Sequence, residues 1–482
     1  MFIDPAISHI LPVTTGLCVS TTQTCVTVPF VYQRGEAAAA RTAHVVFQLD
    51  PRFALCAPAS PATSIRAGTW LAAFTNATFQ VTDNGAGSYT VDLSLTGLPC
   101  GQTSGGTLFT VDVAGVGGDG VGNLTVTACR TFDCASLPLP AQPGAPAPLN
   151  LDHVAPARIT DLASSQVAPV VLPGKPTDSL ATLRLTWTPS PSNIVSIYRA
   201  PFGTYPEYDD LGGTLPDSAA APAAPWVLVS TGAATPFVDR PPGRGSWHYV
   251  AFVTDSCGNR TAVSNFTRGS LDYLLGDVSN KVTRGVGNNR VGVEDVSLLA
   301  SHYGLSGAQI ATANVAYLDV GPTLDGSVNS RPTTDNLIDF QDLAIFSLNF
   351  KVTPFGTGAR PAAPPVQNSG RESFELRAPS LVERGADVPV VLHIDAAGAM
   401  QAFSVQLAWN TFVVQPFDMA SGGFIESQGG IVLSAQAGNV DAALLGVGDH
   451  GILGSGDVAT LHFHVLREGD PGLRITRIIA RA

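Results

Sequence analysis

The stretch Ala43-His-Val-Val-Phe-Gln-Leu-Asp50 is one of a series of short runs rich in β-forming residues. Between about residues 20 and 135, turns containing Gly, Asn and Asp separate these runs. The others are Cys25-Val-Thr-Val-Pro-Phe-Val-Tyr32, Ser88-Tyr-Thr-Val-Asp-Leu-Ser-Leu95, Thr107-Leu-Phe-Thr-Val-Asp-Val113 and Asn123-Leu-Thr-Val-Thr127. Strands of this length and spacing, without helical periodicity, predict a β-sandwich over residues 1–136.

The composition extends this prediction to the whole chain. Its 482 residues include 49 Gly and 36 Pro, with 45% hydrophobic and 13% charged residues, which is typical of several compact β-domains with many turns. The formal net charge of −12 argues against a nucleic-acid partner. We expect no membrane span, because no run of about 18 apolar residues occurs.

Composition and strand patterns divide the chain into six segments. After the first sandwich we predict a Pro/Ala-rich linker, a second β-domain, a module of acidic loops with short helices, another Pro/Ala/Gly-rich linker and a final β-sandwich. Their predicted bounds are 137–154, 155–270, 271–352, 353–369 and 370–482.

The first and final segments share a pattern. Val45, Phe47, Leu49, Asp50 and Phe53 line up, at an offset of 360, with Val405, Leu407, Trp409, Asn410 and Val413. Both segments resemble cohesin domains, the nine-stranded sandwiches of cellulosome scaffolds, so the resemblance implies that fold for both. His462 and His464 alternate with Leu461 and Phe463 and are predicted to face solvent, since no third metal ligand is near in sequence.

The second β-domain resembles fibronectin type III. A tryptophan lies on the early strand Leu183-Arg-Leu-Thr-Trp-Thr188, and the late strand Trp247-His-Tyr-Val-Ala-Phe-Val-Thr-Asp255 carries a tyrosine near its start. The resemblance implies a sandwich of that type over about 115 residues.

Two acidic loops between Leu274 and Phe350 are the strongest candidate site. Calcium takes about six to eight oxygen ligands, which loop motifs supply at alternating positions before a helix. Read backwards from the helices, the loops supply two ligand sets. The predicted ligands are Asp277, Ser279, Asn288, the Arg290 carbonyl and Asp295 in loop 1, and Asp319, Asp335, the Leu337 carbonyl, Asp339 and Asp342 in loop 2. The alternative is that these acids are solvated turn residues.

This pair of loops resembles the type I dockerin duplication, which implies two calcium ions. Helices are expected to follow, with Val296, Leu299 and Tyr303, and Leu343, Phe346 and Phe350, at core-forming spacing. Two departures weaken the implied cohesin pairing. The loops carry insertions, including Pro322–Thr334, and the recognition pairs are Val293-Glu294 and Phe340-Gln341.

Six of the seven cysteines lie within the first 134 residues, which predicts an oxidising compartment. Among 15 possible connectivities we predict the local pairs Cys18–Cys25, Cys56–Cys100 and Cys129–Cys134, with Cys257 alone. The alternative is six buried free thiols. The N-terminus is not a signal peptide as it stands, so we expect either a removed leader or a fragment of a secreted or cell-surface protein.

No HExxH, GxSxG or CxxC motif occurs, and the chain is not expected to be an enzyme. The sequence favours a mainly β, calcium-stabilised scaffold or adhesion protein that binds other proteins. The alternatives are a carbohydrate-binding accessory region of an extracellular polysaccharide hydrolase and a surface-layer or filament subunit. The protein partner could be a cohesin-like domain of the same chain or of a neighbour.

Overall fold

The computed structural model describes residues 7–481 except 73, 75, 99, 168–181, 209–212, 352–371 and 447–449. The chain divides into two compact units. The first contains Met1–Ile159, Ser190–Ser196 and Phe252–Ala262, and the second contains Thr160–Pro189, Ile197–Ala251 and Val263–Ala482. The predicted linker at 353–369 lies outside the described residues. Within the described residues, no helix combines the length and apolar character needed to cross a membrane.

The first sandwich has two sheets around one apolar core. Its strands are β1 (Ser8–Pro12), β2 (Cys18–Ser20), β3 (Cys25–Gln33), β4 (Ala40–Leu49), β5 (Phe53–Leu55), β6 (Ile65–Ala67), β7 (Ala77–Gly85), β8 (Ser88–Leu95), β9 (Gly106–Gly115), β10 (Gly120–Asp133), β11 (Pro138–Leu139), β12 (Ala141–Pro143) and β13 (Ala147–Asp152), with short helices α1 (Pro61–Ser64) and α2 (Thr69–Ala72). The sheet orders are β12-β1-β3-β9-β5, with β6 on β9, and β2-β13-β10-β4-β8-β7, with β11 on β10. The alternating residues Val45, Phe47 and Leu49 of β4 point into the core.

The predicted linker at 137–154 is wrong, because this segment forms three strands of the first sandwich. β13 pairs antiparallel with β10 and parallel with β2. Leu149 and Leu151 are buried, as is Ala147, while the residues between them are more exposed. This period-two alternation identifies a strand, which the Pro/Ala-rich composition had hidden.

The predicted disulfide pairs are also wrong. The bonds are Cys18–Cys257, Cys25–Cys56 and Cys100–Cys134, with Cα–Cα distances of 5.2, 6.0 and 5.9 Å, and Cys129 is free. Cys257 is therefore bonded. The prediction chose partners by closeness in sequence, whereas the bonded cysteines are 239, 31 and 34 residues apart and meet through tertiary packing. All three bonds lie in the first unit.

The middle domain contains two further sheets. Its strands are β14 (Ala163–Val167), β15 (Thr182–Thr186), β16 (Ile194–Phe202), β17 (Val227–Thr231), β18 (Phe237–Asp239), β19 (Ser246–Thr254) and β20 (Ser270–Leu271). The orders are β14-β15-β18 and β17-β16-β19-β20. Trp187, the tryptophan of the predicted early strand, directly follows β15 and is buried, with 6% of its surface exposed.

The helical module (residues 272–351) follows. It holds α3 (Val293–Ala300), α4 (Ala308–Ala313) and α5 (Phe340–Asn349), with a 3-10 turn at Ala316–Leu318. Leu299, Leu343 and Phe346 are fully buried in its core. α3 and α5 lie where the spacing of apolar residues predicts helices, but Tyr303 and Phe350, expected on these helices, lie just beyond their ends.

The final sandwich has two four-stranded sheets. Its strands are β21 (Ser373–Arg377), β22 (Asp387–Ala397), β23 (Ala402–Ala408), β24 (Val414–Ser421), β25 (Gly430–Leu433), β26 (Asn439–Leu444), β27 (Leu453–Val465) and β28 (Arg474–Arg481). The orders are β21-β22-β27-β24 and β25-β26-β23-β28. On β27, Leu461 and Phe463 are buried, whereas His462 is partly exposed and His464 is exposed, as predicted.

The first and final sandwiches repeat one topology. The order β7-β8-β4-β10 corresponds to β25-β26-β23-β28, and β1-β3-β9-β5 corresponds to β21-β22-β27-β24. Every neighbouring pair in these four series is antiparallel. Val45 on β4 and Val405 on β23 are both fully buried, so the offset of 360 aligns equivalent core positions.

Candidate functional site

The two acidic loops close in the same way. In loop 1, Asp295 Oδ1 accepts hydrogen bonds from the amides of Val278 and Ser279, each at 2.8 Å, and Oδ2 accepts one from the Gly292 amide at 2.8 Å. In loop 2, Asp342 Oδ1 accepts from the amides of Val320 and Gly321, at 2.7 and 2.9 Å, and Oδ2 accepts from the Asp339 amide at 2.8 Å. The alignment of Asp295 with Asp342 therefore joins structurally equivalent residues.

The first aspartates of the loops are equivalent as well. Asp277 accepts from the amides of Asn288 and Asn289 at 2.7 and 2.9 Å, and Asp319 accepts from the Asn336 amide at 2.8 Å. Asn289 and Asn336 both adopt the left-handed conformation, with φ of 63° and 59°. Twelve-residue calcium loops use glycine for a sharp turn at this sixth position, and asparagine is among the residues that tolerate it best.

Both insertions leave the loop ends close together. In loop 2, the Thr333 amide donates to the Pro322 carbonyl at 2.8 Å, and Thr323 bridges to Pro332. In loop 1, the Gly285 amide donates to the Val278 carbonyl at 2.8 Å. These backbone contacts close each insertion at its base.

Each loop places two carboxylates in a buried environment. Asp277, Asp295 and Asp342 are fully buried and Asp319 is 2% exposed. Burial raises the pKa of Asp295 to about 6, against the backbone hydrogen bonds that lower it, and the Asp277 carboxylate adds to the rise. Burial and the Asp319 carboxylate raise the pKa of Asp342 well above its ordinary value. A nearby cation would offset this repulsion.

Three of the remaining predicted ligand side chains, Asp335, Asp339 and Ser279, have hydrogen-bond partners of their own. Asp335 is exposed and accepts from Gln341 Nε2 at 3.1 Å, and Asp339 caps α5 by accepting from the Gln341 amide at 2.8 Å. Leu337 and Arg290, whose carbonyl oxygens are predicted ligands, are exposed residues. Ser279 Oγ accepts a hydrogen bond from the Lys281 amide at 3.1 Å. Asn288 Oδ1 is a better candidate, being buried without a hydrogen-bond partner among the described residues.

The side chains that could together hold a metal ion lie elsewhere in the described residues. Among the described residues, the acidic, histidine and cysteine side chains converge in one group, Asp152, Asp255 and Cys257, and Cys257 is in a disulfide. The first and last aspartates of each loop thus interact with each other, and no third acidic, histidine or cysteine side chain of the described residues joins either pair. Calcium binding stays a prediction.

Arg244 is a site residue that the sequence did not reveal. Its Nη2 lies 2.7 Å from Asp277 Oδ2, and its Nη1 donates to the Asp277 carbonyl at 2.6 Å. The guanidinium carbon lies 5.6 and 5.0 Å from the ring centroids of Tyr205 and Tyr273. Arg244 belongs to the middle domain, 33 residues before Asp277, so no local motif could have linked the two.

The helical module packs on one face of the final sandwich. α5 lies against β23 and β26, and Ala402 and Ala443 of these strands belong to the apolar core of the module. Ile431, Leu433 and Ile479, from β25 and β28, pack against the same core. The covered surface is therefore the outer face of the sheet β25-β26-β23-β28, here called the docking face.

Polar contacts fix the position of the module on the docking face. Tyr303 Oη donates to Asp441 Oδ2 at 3.0 Å, and the Gly446 amide donates to the Ser347 carbonyl at 2.8 Å. Gly304, at φ 85°, lies against the Ala435 backbone so closely that a β-carbon would overlap it. Burial raises the pKa of Asp441 to about 6, although the hydrogen bonds from Ser404 and Tyr303 oppose the rise.

Comparison with known proteins gives similarities to cohesin modules. No protein-family model and no curated protein matches the sequence. A non-cellulosomal cohesin from Archaeoglobus fulgidus is 13% identical, with 30% of this chain and 92% of that chain covered and a TM-score of 0.24. The sixth cohesin of Acetivibrio cellulolyticus scaffoldin B, solved with a Cel5 dockerin, is 16% identical, with 30% and 99% covered and a TM-score of 0.24.

A Clostridium thermocellum type I cohesin–dockerin complex, Coh-OlpC-Doc435, is 10% identical, with 32% of this chain and 100% of that chain covered and a TM-score of 0.24. Similarities with such low TM-scores support no conclusion about binding. The architecture rests on the strand orders given above.

Proposed function

We propose that this chain is a non-catalytic secreted or cell-surface scaffold or adhesion protein whose helical module is docked on the final sandwich of the same chain. The observation that carries the proposal is the packing of α5 on the docking face, where Ala402 and Ala443 join the core of the module. An outer sheet face of this kind is otherwise solvated, so a covering partner explains its apolar residues.

The strand orders support the finer assignment. The paired sheets of the first and final sandwiches are consistent with two cohesin-like domains, and the three- and four-stranded sheets of the middle domain are consistent with fibronectin type III. The two loop–helix halves with equivalent aspartates support a dockerin-like module. Together they favour a self-docked protein in which this docking face is closed to other partners.

The first sandwich supplies an internal comparison. On β4 and β8 of this sandwich, His44 lies opposite Asp92. The equivalent cross-strand pair on the docking face is Ser404 and Asp441. The neighbouring pairs Val45–Val91 and Val405–Val440 fix this correspondence. His44 Nδ1 lies 2.7 Å from Asp92 Oδ1, and both side chains are about half exposed, at 41% and 50%. Asp441 is instead fully buried. The equivalent pair in the first sandwich is thus exposed to solvent, whereas Asp441 on the docking face is covered.

The tryptophans give no support to the carbohydrate-binding alternative. Four of the five are at most 9% exposed, and Trp409 is partly buried, with its ring packed edge-on against Phe463 at 5.6 Å. Sugar stacking on a sandwich face would require a row of exposed aromatic rings, which the tryptophans do not supply. The three disulfides support an oxidising, extracytoplasmic location.

Docking is tested by Ala443→Glu. This side chain is buried only if the module covers the sheet, so the substitution should place a charge in an apolar contact and lower the Tm of the full chain by several degrees, roughly 5 °C or more. Thr476→Glu, at an exposed position of the same sheet, is the matched control. Equal melting of the two variants would contradict docking.

We further propose that loop 2 takes calcium through Asp319 and Asp342, with Asp335, Asp339 and the Leu337 carbonyl moving in to complete the oxygen shell. The support is the pair of buried carboxylates and the left-handed turn at Asn336. An ion that binds only the folded state raises stability. Thermal melts should therefore show a higher Tm in calcium than in chelator, and identical melts would refute this part of the proposal.

A further inference from the structure

Loop 1 already contains a cation supplied by the chain. The Arg244 side chain is 9% exposed, and its guanidinium contacts both the carboxylate and the backbone carbonyl of Asp277. The aspartate carboxylate is at the same time held by the amides of Asn288 and Asn289. An arginine keeps its positive charge under all relevant conditions, so the guanidinium compensates the negative charge of the Asp277 carboxylate without an ion from solution.

The backbone of loop 1 leaves the space that this arrangement needs. A β-carbon at Gly287 would overlap both Arg244 Nη2 and Asp277 Oδ2. Gly287 is not among the residues with positive φ, so the close approach of the ion pair, rather than the backbone conformation, requires glycine. Thr334 holds the corresponding position in loop 2, directly before Asp335, and it carries a β-carbon.

The surroundings hold the guanidinium in place. Tyr205 and Tyr273 present their rings to it, and the two rings pack edge to face with centroids 5.2 Å apart. Aromatic faces attract cations, and the attraction is strongest where water is excluded. Two aromatic side chains and one aspartate therefore form a cage that matches an arginine side chain.

We propose that Arg244 occupies the cation position of loop 1, so that this loop is closed by an internal guanidinium and binds no calcium. The consequence is a chain whose calcium, where bound, depends on loop 2 alone, while loop 1 tethers the middle domain to the helical module. The predicted number of calcium ions per chain rests on the proposed function. The link that Arg244 forms between the middle domain and the helical module does not.

The tether is tested on the full chain in chelator by a double-mutant cycle of Arg244→Gln and Asp277→Asn. Each single variant leaves a buried partner uncompensated and should lower the Tm by roughly 5–10 °C. The double variant should lose little more than the worse single variant, because the partners act as one unit. Additive losses would overturn the proposal.

Gly287→Ala provides a second measurement, should Arg244→Gln fail to fold. We expect this substitution to lower the Tm, because the added β-carbon displaces the Arg244–Asp277 pair. An unchanged Tm would overturn the proposal.

The calcium count is tested by equilibrium dialysis with calcium alone. Asp277→Asn should leave the bound calcium per chain unchanged, whereas Asp319→Asn should lower it. Loss of one equivalent in Asp277→Asn would overturn the proposal. If the wild-type chain binds no calcium, the calcium part of the proposed function fails, and the double-mutant cycle in chelator still decides whether Arg244 closes loop 1.

Discussion

Single residues distinguish the docking face from its counterpart in the first sandwich. Asp441 and Asp92 hold equivalent places, yet Asp441 is buried beneath Tyr303 and Asp92 lies beside His44 at the surface. A buried carboxylate favours its neutral form, and the raised pKa of Asp441, about 6, reflects this. The covering module thus changes the chemistry of an otherwise ordinary strand residue.

This shift predicts a pH dependence of stability. The folded-state pKa of Asp441, about 6, lies above the ordinary value of 3.8, so the folded chain retains a proton that the unfolded chain loses. The contribution of Asp441 to the free energy of unfolding is therefore greatest at low pH and falls as pH rises from about 4 to about 6, by up to about 3 kcal/mol. Asp295, with a pKa of about 6, and Asp272, with a pKa of about 7, act in the same direction.

Asp441→Asn should remove part of this dependence. In chelator, we expect the Tm difference between variant and wild type to be more favourable to the variant at pH 7 than at pH 4. Asp92→Asn, at the equivalent exposed place, is the control. A variant whose Tm follows pH as steeply as the wild type would show that Asp441 is not buried as described.

At the scale of elements, the periodicity of apolar residues predicted the strands and helices whose positions depend on local sequence. The alternation on β4 and β27 and the helical spacing of Leu299 and Phe346 identified strands and helices at their observed places. The strands β11–β13 were missed because proline and alanine dominate the segment. β26 carries buried residues on both faces, a pattern typical of a strand covered on both sides.

Spacing also predicted half of the candidate site. Counting back from α3 and α5 identified the paired aspartates, since those positions are set by local loop geometry. The contacts of Arg244 with Asp277 and of Tyr303 with Asp441 could not be predicted, because they form only through tertiary packing. Disulfide pairing has the same limit, since tertiary packing rather than closeness in sequence brings the cysteines together.

At the scale of the molecule, the helical module lies within one continuous apolar core of the second unit. That core includes Phe202 and Tyr208 from the middle domain and Ala402 and Ala443 from the final sandwich, with the module between them. Modules connected only by linkers would not share buried side chains. The central claim is therefore that the module and the final sandwich remain joined without the covalent connection between them.

Cleavage of that connection tests the claim most directly. A protease recognition sequence inserted between Arg360 and Pro361 would separate residues 1–360 from 361–482, and no cysteine lies beyond Cys257, so no disulfide can join the fragments. After cleavage, we predict that the two fragments co-elute in size-exclusion chromatography and that Ala443→Glu separates them, whereas Thr476→Glu does not. Wild-type fragments that elute separately after cleavage would contradict the account.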